Sequence, residues 1–224
     1  MQLTFLGNCG VAVFDERCGV LVDAPNGLHT VFDAVPESVT DAVCAAQPPY
    51  DRLRGILFTH RHSDHYNKKR LSAICERRPE LSVLDVSGAT PQRGTVTMGE
   101  ITVAYETIPH SGEEFRNVFH RVLLIRMPEG AVYVTGDADW TSPLHEQILR
   151  REQPVAAIWN PNYVSHPVGR ALMRFCPHNF VCHMPVDSAD VLGIGAKCRR
   201  SFERYADELS GVTLIDRYPT TIEI

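Results

Sequence analysis

Three histidines and an aspartate lie within six residues of this chain, directly after a short apolar run. The run, residues 55–59, is continuous and of strand length, so it predicts a buried strand. In extended backbone, residues two apart point to the same side, so His60 and His62 can face one ion. Where the chain turns towards a helix, Asp64 and His65 can reach a neighbouring point. The segment therefore predicts a metal site at the end of a strand.

The alternative for this segment is a solvated loop in which Asp64 caps the following helix. Imidazole and carboxylate donors without a thiolate suit zinc, iron or manganese rather than a structural zinc finger. The seven cysteines are widely spaced and form no C-x-x-C pair, so they predict neither a thiolate site nor a disulfide framework. We interpret the segment as metal-binding, because so many donors fall so close together.

Three further candidate donors each come after a predicted strand and begin a loop: His110, Asp137 and His183. Taken singly, each has an ordinary explanation, namely a loop histidine, a Gly-Asp turn and a core histidine. Their shared placement is typical of ligands that converge on one edge of a sheet. We therefore count all three as candidate ligands.

The rest of the chain alternates short strands with helices in both halves, which predicts an α/β sandwich with sheets inside and helices outside. The absence of repeats and Gly/Ser linkers predicts a single domain over residues 1–224. Strands are predicted at residues 2–6, 11–14, 19–22, 55–59, 82–86, 95–98, 101–107, 119–126, 131–135, 155–159, 180–182 and 212–215. Helices are predicted around 39–46 and 71–75, and over 143–151 and 189–209.

Charge and hydropathy exclude several classes of protein. With 22 basic and 27 acidic residues the formal net charge is −5, which argues against a broad nucleic-acid footprint. The apolar runs are far shorter than the roughly 20 residues of a membrane-spanning helix. Residues 1–10 carry no basic segment ahead of an apolar one, so no secretory signal is expected. We expect a cytoplasmic protein with neither a nucleic-acid nor a membrane partner, and homo-oligomerisation stays open.

The ordered motifs together resemble the metallo-β-lactamase-fold hydrolase superfamily. The motifs are Leu3-Thr4-Phe5-Leu6-Gly7, Leu21-Val22-Asp23-Ala24, the T-H-x-H-x-D-H segment from Thr59 to His65, His110, Gly136-Asp137 and His183, in the family's order. The resemblance implies a four-layer αββα sandwich of two mixed sheets flanked by helices. It also implies two divalent metal ions per chain, with zinc favoured and manganese or iron as alternatives.

The resemblance further implies how the ligands are divided. Three histidines would hold the first ion: His60, His62 and His110. A carboxylate and two histidines would hold the second ion: Asp64, His65 and His183. Asp137 would bridge the two ions, and Asp23 matches a structural position that holds the metal loop.

Such a pair of ions predicts a metal-dependent hydrolase that uses a hydroxide bridging both ions. We expect Asp64 to orient the attacking water or accept its proton. His166 is expected as a second catalytic residue, with Tyr163 beside it, donating a proton or hydrogen bond to the leaving oxygen; the alternative is that residues 160–166 only form a turn. His62 favours hydrolysis, because the di-iron redox branch of the family resembles H-x-E-x-D-H at this point.

The substrate is expected to be a small molecule, and an anionic one is favoured. Arg61, Lys68 and Lys69 near the ligand segment favour a small phosphodiester, although such a run is often only a solvated face. The alternative is a lactonase-like enzyme or another ester or thioester hydrolase of the same family. A hypothesis of another class is a non-catalytic metal-binding module, against which the complete ligand set argues.

Overall fold

The computed structural model describes residues 1–87 and 92–224, and two facing β-sheets form its centre. The strands are β1 (Gln2–Gly7), β2 (Gly10–Phe14), β3 (Gly19–Val22), β4 (Leu53–Leu57), β5 (Ser82–Leu84), β6 (Arg93–Met98), β7 (Ile101–Glu106), β8 (Val122–Met127), β9 (Gly130–Val134), β10 (Ala156–Trp159), β11 (His178–Val181), β12 (Val212–Leu214) and β13 (Thr220–Glu223). The α-helices are α1 (Glu37–Cys44), α2 (Lys68–Arg77), α3 (Leu144–Glu152), α4 (Pro161–Ser165), α5 (Pro167–Met173) and α6 (Ile194–Arg204).

Both sheets mix parallel and antiparallel pairs. The first has the order β13-β1-β2-β3-β4-β5, in which the β3–β4 and β4–β5 pairs are parallel and the others antiparallel. The second has the order β12-β11-β10-β9-β8-β7-β6, in which β6 to β9 form an antiparallel meander and β9 to β12 run parallel. The first three strands, β1 to β3, thus pair as an antiparallel meander.

The period-2 alternation of the strands separates three apolar layers. Between the sheets, Leu3 and Phe5 of β1 share one buried cluster with Ile101 and Val103 of β7. The outer face of the first sheet packs against α1 and α2 through a second cluster. The outer face of the second sheet packs against α3, α5 and α6 through a third. The result is the predicted four-layer αββα sandwich.

Two predicted segments differ from the structure on the helical side. Residues 160–166, for which the sequence predicts either a turn or a site with a catalytic His166, contain α4 and lead directly into α5. Each helix begins with a proline in its first turn, which needs no amide hydrogen there, and Asn160 and His166 supply the N-cap acceptors. The long helix predicted over 189–209 is shorter, because Gly193 with φ +65° precedes its first turn and Arg204 ends it.

The strand predictions are wrong mainly at strand ends. The strand predicted over 119–126 begins only at Val122, because His120 just before it directs both ring nitrogens to other backbone groups. The strand predicted over 55–59 ends at Leu57, which leaves Phe58 and Thr59 as a lead into the histidine segment. Strand β13, which pairs with β1, has no counterpart among the predicted strands. Within residues 1–87 and 92–224, no helix has the length and apolar character needed to cross a membrane.

The parallel strands place the candidate ligands at one edge of the sandwich. Asp23 follows β3, and the histidine segment follows β4, its parallel neighbour. In the second sheet, Asp137 follows β9, Asn160 follows β10 and His183 comes shortly after β11. Because the carboxyl ends of neighbouring parallel strands lie at the same edge, residues far apart in sequence meet there.

Candidate metal centre

Donor atoms from three separate loops meet at this edge. Each member of the set contributes one ring nitrogen or carboxylate oxygen, and these atoms lie within 4.8 Å of one another: His60, His62, His110 and Asp137. We call the three histidines the first ligand group. Three of the four side chains are buried and His62 is partly exposed, so the group opens to solvent on one side.

A second group lies on the other side of Asp137. It consists of Asp64, His65 and His183, and we call it the second ligand group. The Oδ2 atom of Asp64 lies 3.9 Å from His65 Nε2 and 3.6 Å from His183 Nε2. All three side chains are buried. The structure therefore brings together all seven residues that the sequence proposed as ligands.

One carboxylate oxygen lies between the two groups. Asp137 Oδ2 is 3.8 Å from His60 Nε2 and 3.5 Å from His110 Nε2 on the first side. It is 3.4 Å from the Nε2 atoms of both His65 and His183 on the second side. Burial by itself would raise the pKa of Asp137, but the imidazoles of His183 and His65 outweigh it and hold that pKa well below its usual range. Asp137 is thus an ionised carboxylate centred among four imidazoles.

The far nitrogens of the rings are held by acceptors outside the centre. His65 Nδ1 donates to Asp23 Oδ2 at 2.9 Å, and His183 Nδ1 donates to Asn8 Oδ1 at 2.5 Å. His110 Nδ1 donates to the carbonyl oxygen of Ser111 at 2.6 Å. An imidazole whose Nδ1 is held by an outer acceptor directs its Nε2 inwards, so these three rings turn an Nε2 atom towards the centre.

Two of those inward nitrogens have no hydrogen-bond partner among the described residues. His65 Nε2 and His110 Nε2 are both buried and unpaired, which is costly for a polar atom unless something else binds it. Burial, with the neighbouring His65, lowers the pKa of His60 well below the usual value, so its ring is neutral. Burial by itself would lower the pKa of His65, but the neighbouring carboxylates of Asp137 and Asp23 raise it well above its usual value, so a metal ion at that ring would replace a proton. Imidazoles and carboxylates form a donor set that fits two divalent cations.

Asp23 holds the histidine segment in place, as the sequence proposed for a structural residue. Its Oδ1 accepts from the Thr59 amide at 2.8 Å, and its Oδ2 accepts from the Thr59 hydroxyl at 2.7 Å. The same Oδ2 accepts from His65, so one buried carboxylate orients both the backbone and a ligand ring. Asp23 adopts φ +47°, a conformation that non-glycine residues rarely take.

Asn8 is a supporting residue that the sequence did not reveal. Its side-chain amide donates to the Asp64 carbonyl oxygen at 3.1 Å while its Oδ1 holds His183. Its own carbonyl accepts from the His183 amide at 3.3 Å. Asn8 lies between two strands of a hairpin with φ +49°, where asparagine is an ordinary turn residue. Asn8 shares a positive φ with Asp23 and His183, the two other non-glycine residues of the centre that adopt it.

The loop that carries Asp137 is held in place by a buried histidine. His120 is fully buried; its Nδ1 donates to the Ile108 carbonyl at 3.0 Å and its Nε2 accepts from the Asp137 amide at 3.0 Å. Burial lowers the pKa of His120 to about 3, which keeps the ring neutral in this role. Gly136 adopts φ +50°, and a Cβ there would lie 2.7 Å from the His120 ring. His120 is therefore a core histidine that supports the Asp137 loop.

A buried thiol also lies beside the second ligand group. Cys9 has one potential donor atom within 4.8 Å of those of His65 and His183. Its Sγ contacts His65 at Nδ1, at 3.3 Å, and the Asp64 carbonyl oxygen at 3.1 Å, so it lies on the outer side of the ring. Burial raises the pKa of Cys9 to about 12. The protonated thiol therefore supports the ligand loop from outside.

The proposed proton donors at residues 160–166 have structural contacts. Tyr163 is fully buried, with its hydroxyl 3.2 Å from the Ala138 carbonyl and 2.9 Å from His145, so it cannot line an open pocket. His166 accepts from the Val168 amide as an N-cap and contacts the ring of Trp140. A catalytic role of His166 stays a prediction. Asn160, by contrast, reaches the centre, since its amide lies 3.3 Å from Asp137 Oδ1.

Of the three basic residues near the ligand segment, Arg61 has a carboxylate partner outside the centre. It forms a bidentate ion pair with Asp85, in which its Nε donates to Oδ1 at 3.0 Å. Lys69 lines the groove between α1 and α2, and Lys68 is exposed at the first position of α2. Arg61 is therefore not a free cation at the centre.

Comparison with known proteins gives similarity in structure only. No protein-family model matches the sequence, and no curated protein does. A possible metal-dependent hydrolase from Veillonella parvula DSM 2008 superimposes with a TM-score of 0.69 at 17% identity, covering 100% of this chain and 99% of that one. An isothiocyanate hydrolase from Delia radicum gut bacteria superimposes with a TM-score of 0.63 at 15% identity, covering 100% of this chain and 99% of that one. A metallo-β-lactamase-fold protein from Bacillus subtilis superimposes with a TM-score of 0.63 at 12% identity, covering 99% of each chain.

These matches extend over nearly the whole chain. They therefore include both mixed sheets and the helices on their outer faces. At such low identity the similarity concerns the fold, so the chemistry has to be argued from the side chains. The chain has the metallo-β-lactamase fold, with buried histidine and aspartate clusters at the edge where its parallel strands end.

Proposed function

We propose that this protein is a metal-dependent hydrolase with two divalent ions per chain. The observation that carries the proposal is the position of Asp137 Oδ2, which lies 3.4–3.8 Å from four imidazole nitrogens on two sides. With the outer nitrogens of His65, His110 and His183 already donating elsewhere, the inward lone pairs can bind cations. The first ligand group would hold one ion, the second group the other, and Asp137 would bridge them.

Divalent ions held in this way lower the pKa of a bound water and polarise a substrate oxygen. The chain's own residues set the rest of the arrangement. Asp64 has a carboxylate beside the second group and little exposure, so it would bind the second ion and orient an attacking water, or accept its proton. Asn160 fixes the other oxygen of Asp137 through its side-chain amide.

Hydrolysis is the reaction class that agrees best with these features. Two of the similar structures carry hydrolase names, and one of those proteins acts on an isothiocyanate. The donor set itself contains imidazoles and carboxylates that suit zinc or manganese as well as iron. Zinc is our first choice, since all seven donors are of the types that zinc-dependent hydrolases use.

Metal analysis and activity together test the proposal. Protein reconstituted with zinc should contain close to two ions per chain, and a chelator should remove both the ions and the hydrolysis of small ester or phosphodiester substrates. Zinc or manganese should restore the activity. A folded protein that binds no ion would refute the proposal, and one that binds ions without turning over any substrate would favour a non-catalytic metal-binding module.

The source of the oxygen atom separates this mechanism from covalent catalysis. In water labelled with oxygen-18, a single turnover should place the label directly in the product, because no serine is required as a nucleophile. The serines adjacent in sequence to candidate site residues are Ser63, Ser111 and Ser165. A trapped acyl or phosphoryl adduct on any of them would refute hydrolysis by activated water.

A further inference from the structure

Most of the large exposed apolar side chains in the described part of the chain lie on loops that follow candidate ligands. Among residues 1–87 and 92–224, five large hydrophobic side chains are exposed: Leu28, Phe115, Val168, Val191 and Leu192. Four of them lie on three loops, at residues 24–35, 111–119 and 184–193. We call these the rim loops, because they directly follow Asp23, His110 and His183. Exposed apolar side chains that converge on one place commonly mark a binding site.

Two aromatic rings of the rim loops contact the candidate ligands directly. The ring centroid of Phe32 lies 4.2 Å from that of His183 in the second ligand group. The ring of Phe115 lies 4.7 Å from His110 and 5.1 Å from His62 in the first group. Each ligand group is therefore bordered by one phenylalanine, and Phe115 keeps 36% of its surface exposed.

Two of the rim loops are joined to each other. The Val186 amide donates to the Val31 carbonyl at 2.9 Å, which connects the loop after His183 to the loop after Asp23. Leu28, at 86% exposure, and Val191, at 82%, lie on these two connected loops. Such exposure of aliphatic side chains costs free energy in water, and a bound apolar group would cover them.

The charges of the rim loops disfavour an anion. The loops carry five carboxylates, from Asp33, Glu113, Glu114, Asp187 and Asp190, and one guanidinium, from Arg116. Arg116 is paired with Glu113 at 2.6 Å, and one of the five carboxylates, Asp187, is paired with Arg199 of α6 at 2.9 Å. Because Arg61 is also paired, with Asp85, a phosphodiester approaching the centre would meet mainly negative charge and apolar surface.

We propose that the rim loops select a neutral carboxylic ester or lactone whose apolar chain packs against Phe32 and Phe115. This inference rests on the proposed hydrolase function. In the reaction, the water oxygen bonds to the acyl carbon, the bond from that carbon to the alcohol oxygen breaks, and a water proton ends on the alcohol oxygen. Phe32 and Phe115 act as specificity-determining residues, and they take no part in bond making.

A series of neutral esters tests the proposal. We would measure kcat/KM of the zinc-loaded protein for acetyl, butanoyl and hexanoyl esters of one alcohol, and for a phosphodiester of the same alcohol. Each buried methylene is worth about a fourfold gain, so the hexanoyl ester should exceed the acetyl ester by more than tenfold. In Phe32→Ala and Phe115→Ala that ratio should fall at least fivefold, while the zinc content stays that of the wild type.

Two further variants serve as controls. Phe115→Leu keeps an apolar side chain and should preserve most of the chain-length preference. Val168→Ala removes an exposed apolar side chain outside the rim loops and should leave the ratio unchanged. Zinc content and circular dichroism show for each variant whether the centre and the fold are intact.

Two results would overturn the inference, and a third concerns the proposed function instead. A chain-length ratio near one in the wild type, or an unchanged ratio in both alanine variants, would show that the rim loops select no apolar group. Faster turnover of the phosphodiester than of every ester would overturn the neutral substrate and favour the anionic one. Failure to hydrolyse any substrate despite two bound zinc ions would refute the hydrolase function itself.

Discussion

The two ligand groups are built in different ways. In the second group, His65 and His183 are buried and donate to Asp23 and Asn8, which lie 42 and 175 residues away along the chain. In the first group, His110 donates to the carbonyl of its own neighbour, Ser111, and His62 is partly exposed. The second group is thus held by tertiary contacts, and the first mainly by its own loops.

This difference predicts different behaviour of the two ions. Ligands whose orientation is already set by outer hydrogen bonds lose less conformational freedom on binding, so they hold a metal more tightly. We therefore expect the ion of the second group to be bound more tightly and that of the first group to exchange more readily. The more open first group also gives a substrate the easier access.

The largest effect is expected where the two groups meet. Asp137→Ala should abolish turnover and weaken the binding of both ions. The loss of affinity should exceed the factor of about 10–100 that follows loss of a supporting hydrogen bond. In the proposed centre, the shared carboxylate would separate two cations that otherwise repel each other. Metal titration would measure this. Asp139→Ala is the control, since Asp139 caps Thr141 at 2.9 Å, and equal effects of both substitutions would contradict the bridging role.

A smaller and one-sided effect is expected at Asn8. Asn8→Leu should weaken the binding of the ion in the second group by about 10–100-fold, because Asn8 contacts only that group. The ion of the first group should be bound with nearly wild-type affinity. Cobalt titration followed by absorbance would resolve the two sites. Asn179→Leu removes a buried asparagine that bonds Trp159, and it should retain both sites. Equal weakening of both ions in Asn8→Leu would break the comparison between the groups.

A third prediction concerns His145, which contacts the loop that carries Asp137 through the Asp139 carbonyl. His145 lies behind the Asp137 loop, 2.7 Å from the Tyr133 hydroxyl, and burial lowers its pKa to about 4. The unfolded chain binds a proton near pH 6.5, so this histidine stabilises the fold above that pH and loses its contribution as the pH falls towards 4. The loss between pH 7 and pH 5 should be about 2 kcal/mol.

Urea unfolding of wild type and His145→Gln at several pH values would measure this contribution. The difference between the two proteins cancels the pH dependence that comes from the remaining groups. Below pH 6, we expect the free energy of unfolding of the wild type to fall by about 1.4 kcal/mol more per pH unit than that of the variant. This is the slope for one extra proton bound by the unfolded chain. Parallel curves for the two proteins would contradict a lowered pKa at His145.

The smallest effect is expected at Cys9. Because its thiol is protonated and contacts His65 at the outer nitrogen, where a serine hydroxyl can replace it, Cys9→Ser should change zinc affinity by less than about tenfold, below the usual cost of losing a supporting hydrogen bond. The cobalt-loaded wild type should show no sulfur-to-metal charge-transfer band. Such a band, with a large loss of affinity in Cys9→Ser, would make Cys9 a ligand and change the composition of the second group.

The pattern of the sequence predicted the layered fold well and the ends of its elements less well. Strand β3 has the predicted bounds, and the αββα order follows from strands and helices that alternate in both halves. The helices at residues 160–173 were missed, because Asn-Pro and His-Pro are turn signals that also begin helices. The late strand β13 is short and half exposed, and it is stabilised by its pairing with β1 and by Ile222, which packs against the core between the sheets.

The sequence by itself determined which donor types this protein has, their order, and their placement after strands, because those features depend on neighbours a few residues away. Tertiary structure alone decided the hydrogen bonds of Asn8, the pairing of Arg61 with Asp85 and the position of Phe32 against His183. These contacts join segments that are distant along the chain, and no local pattern encodes them. They exist only once the two sheets have packed and brought the strand ends to one edge.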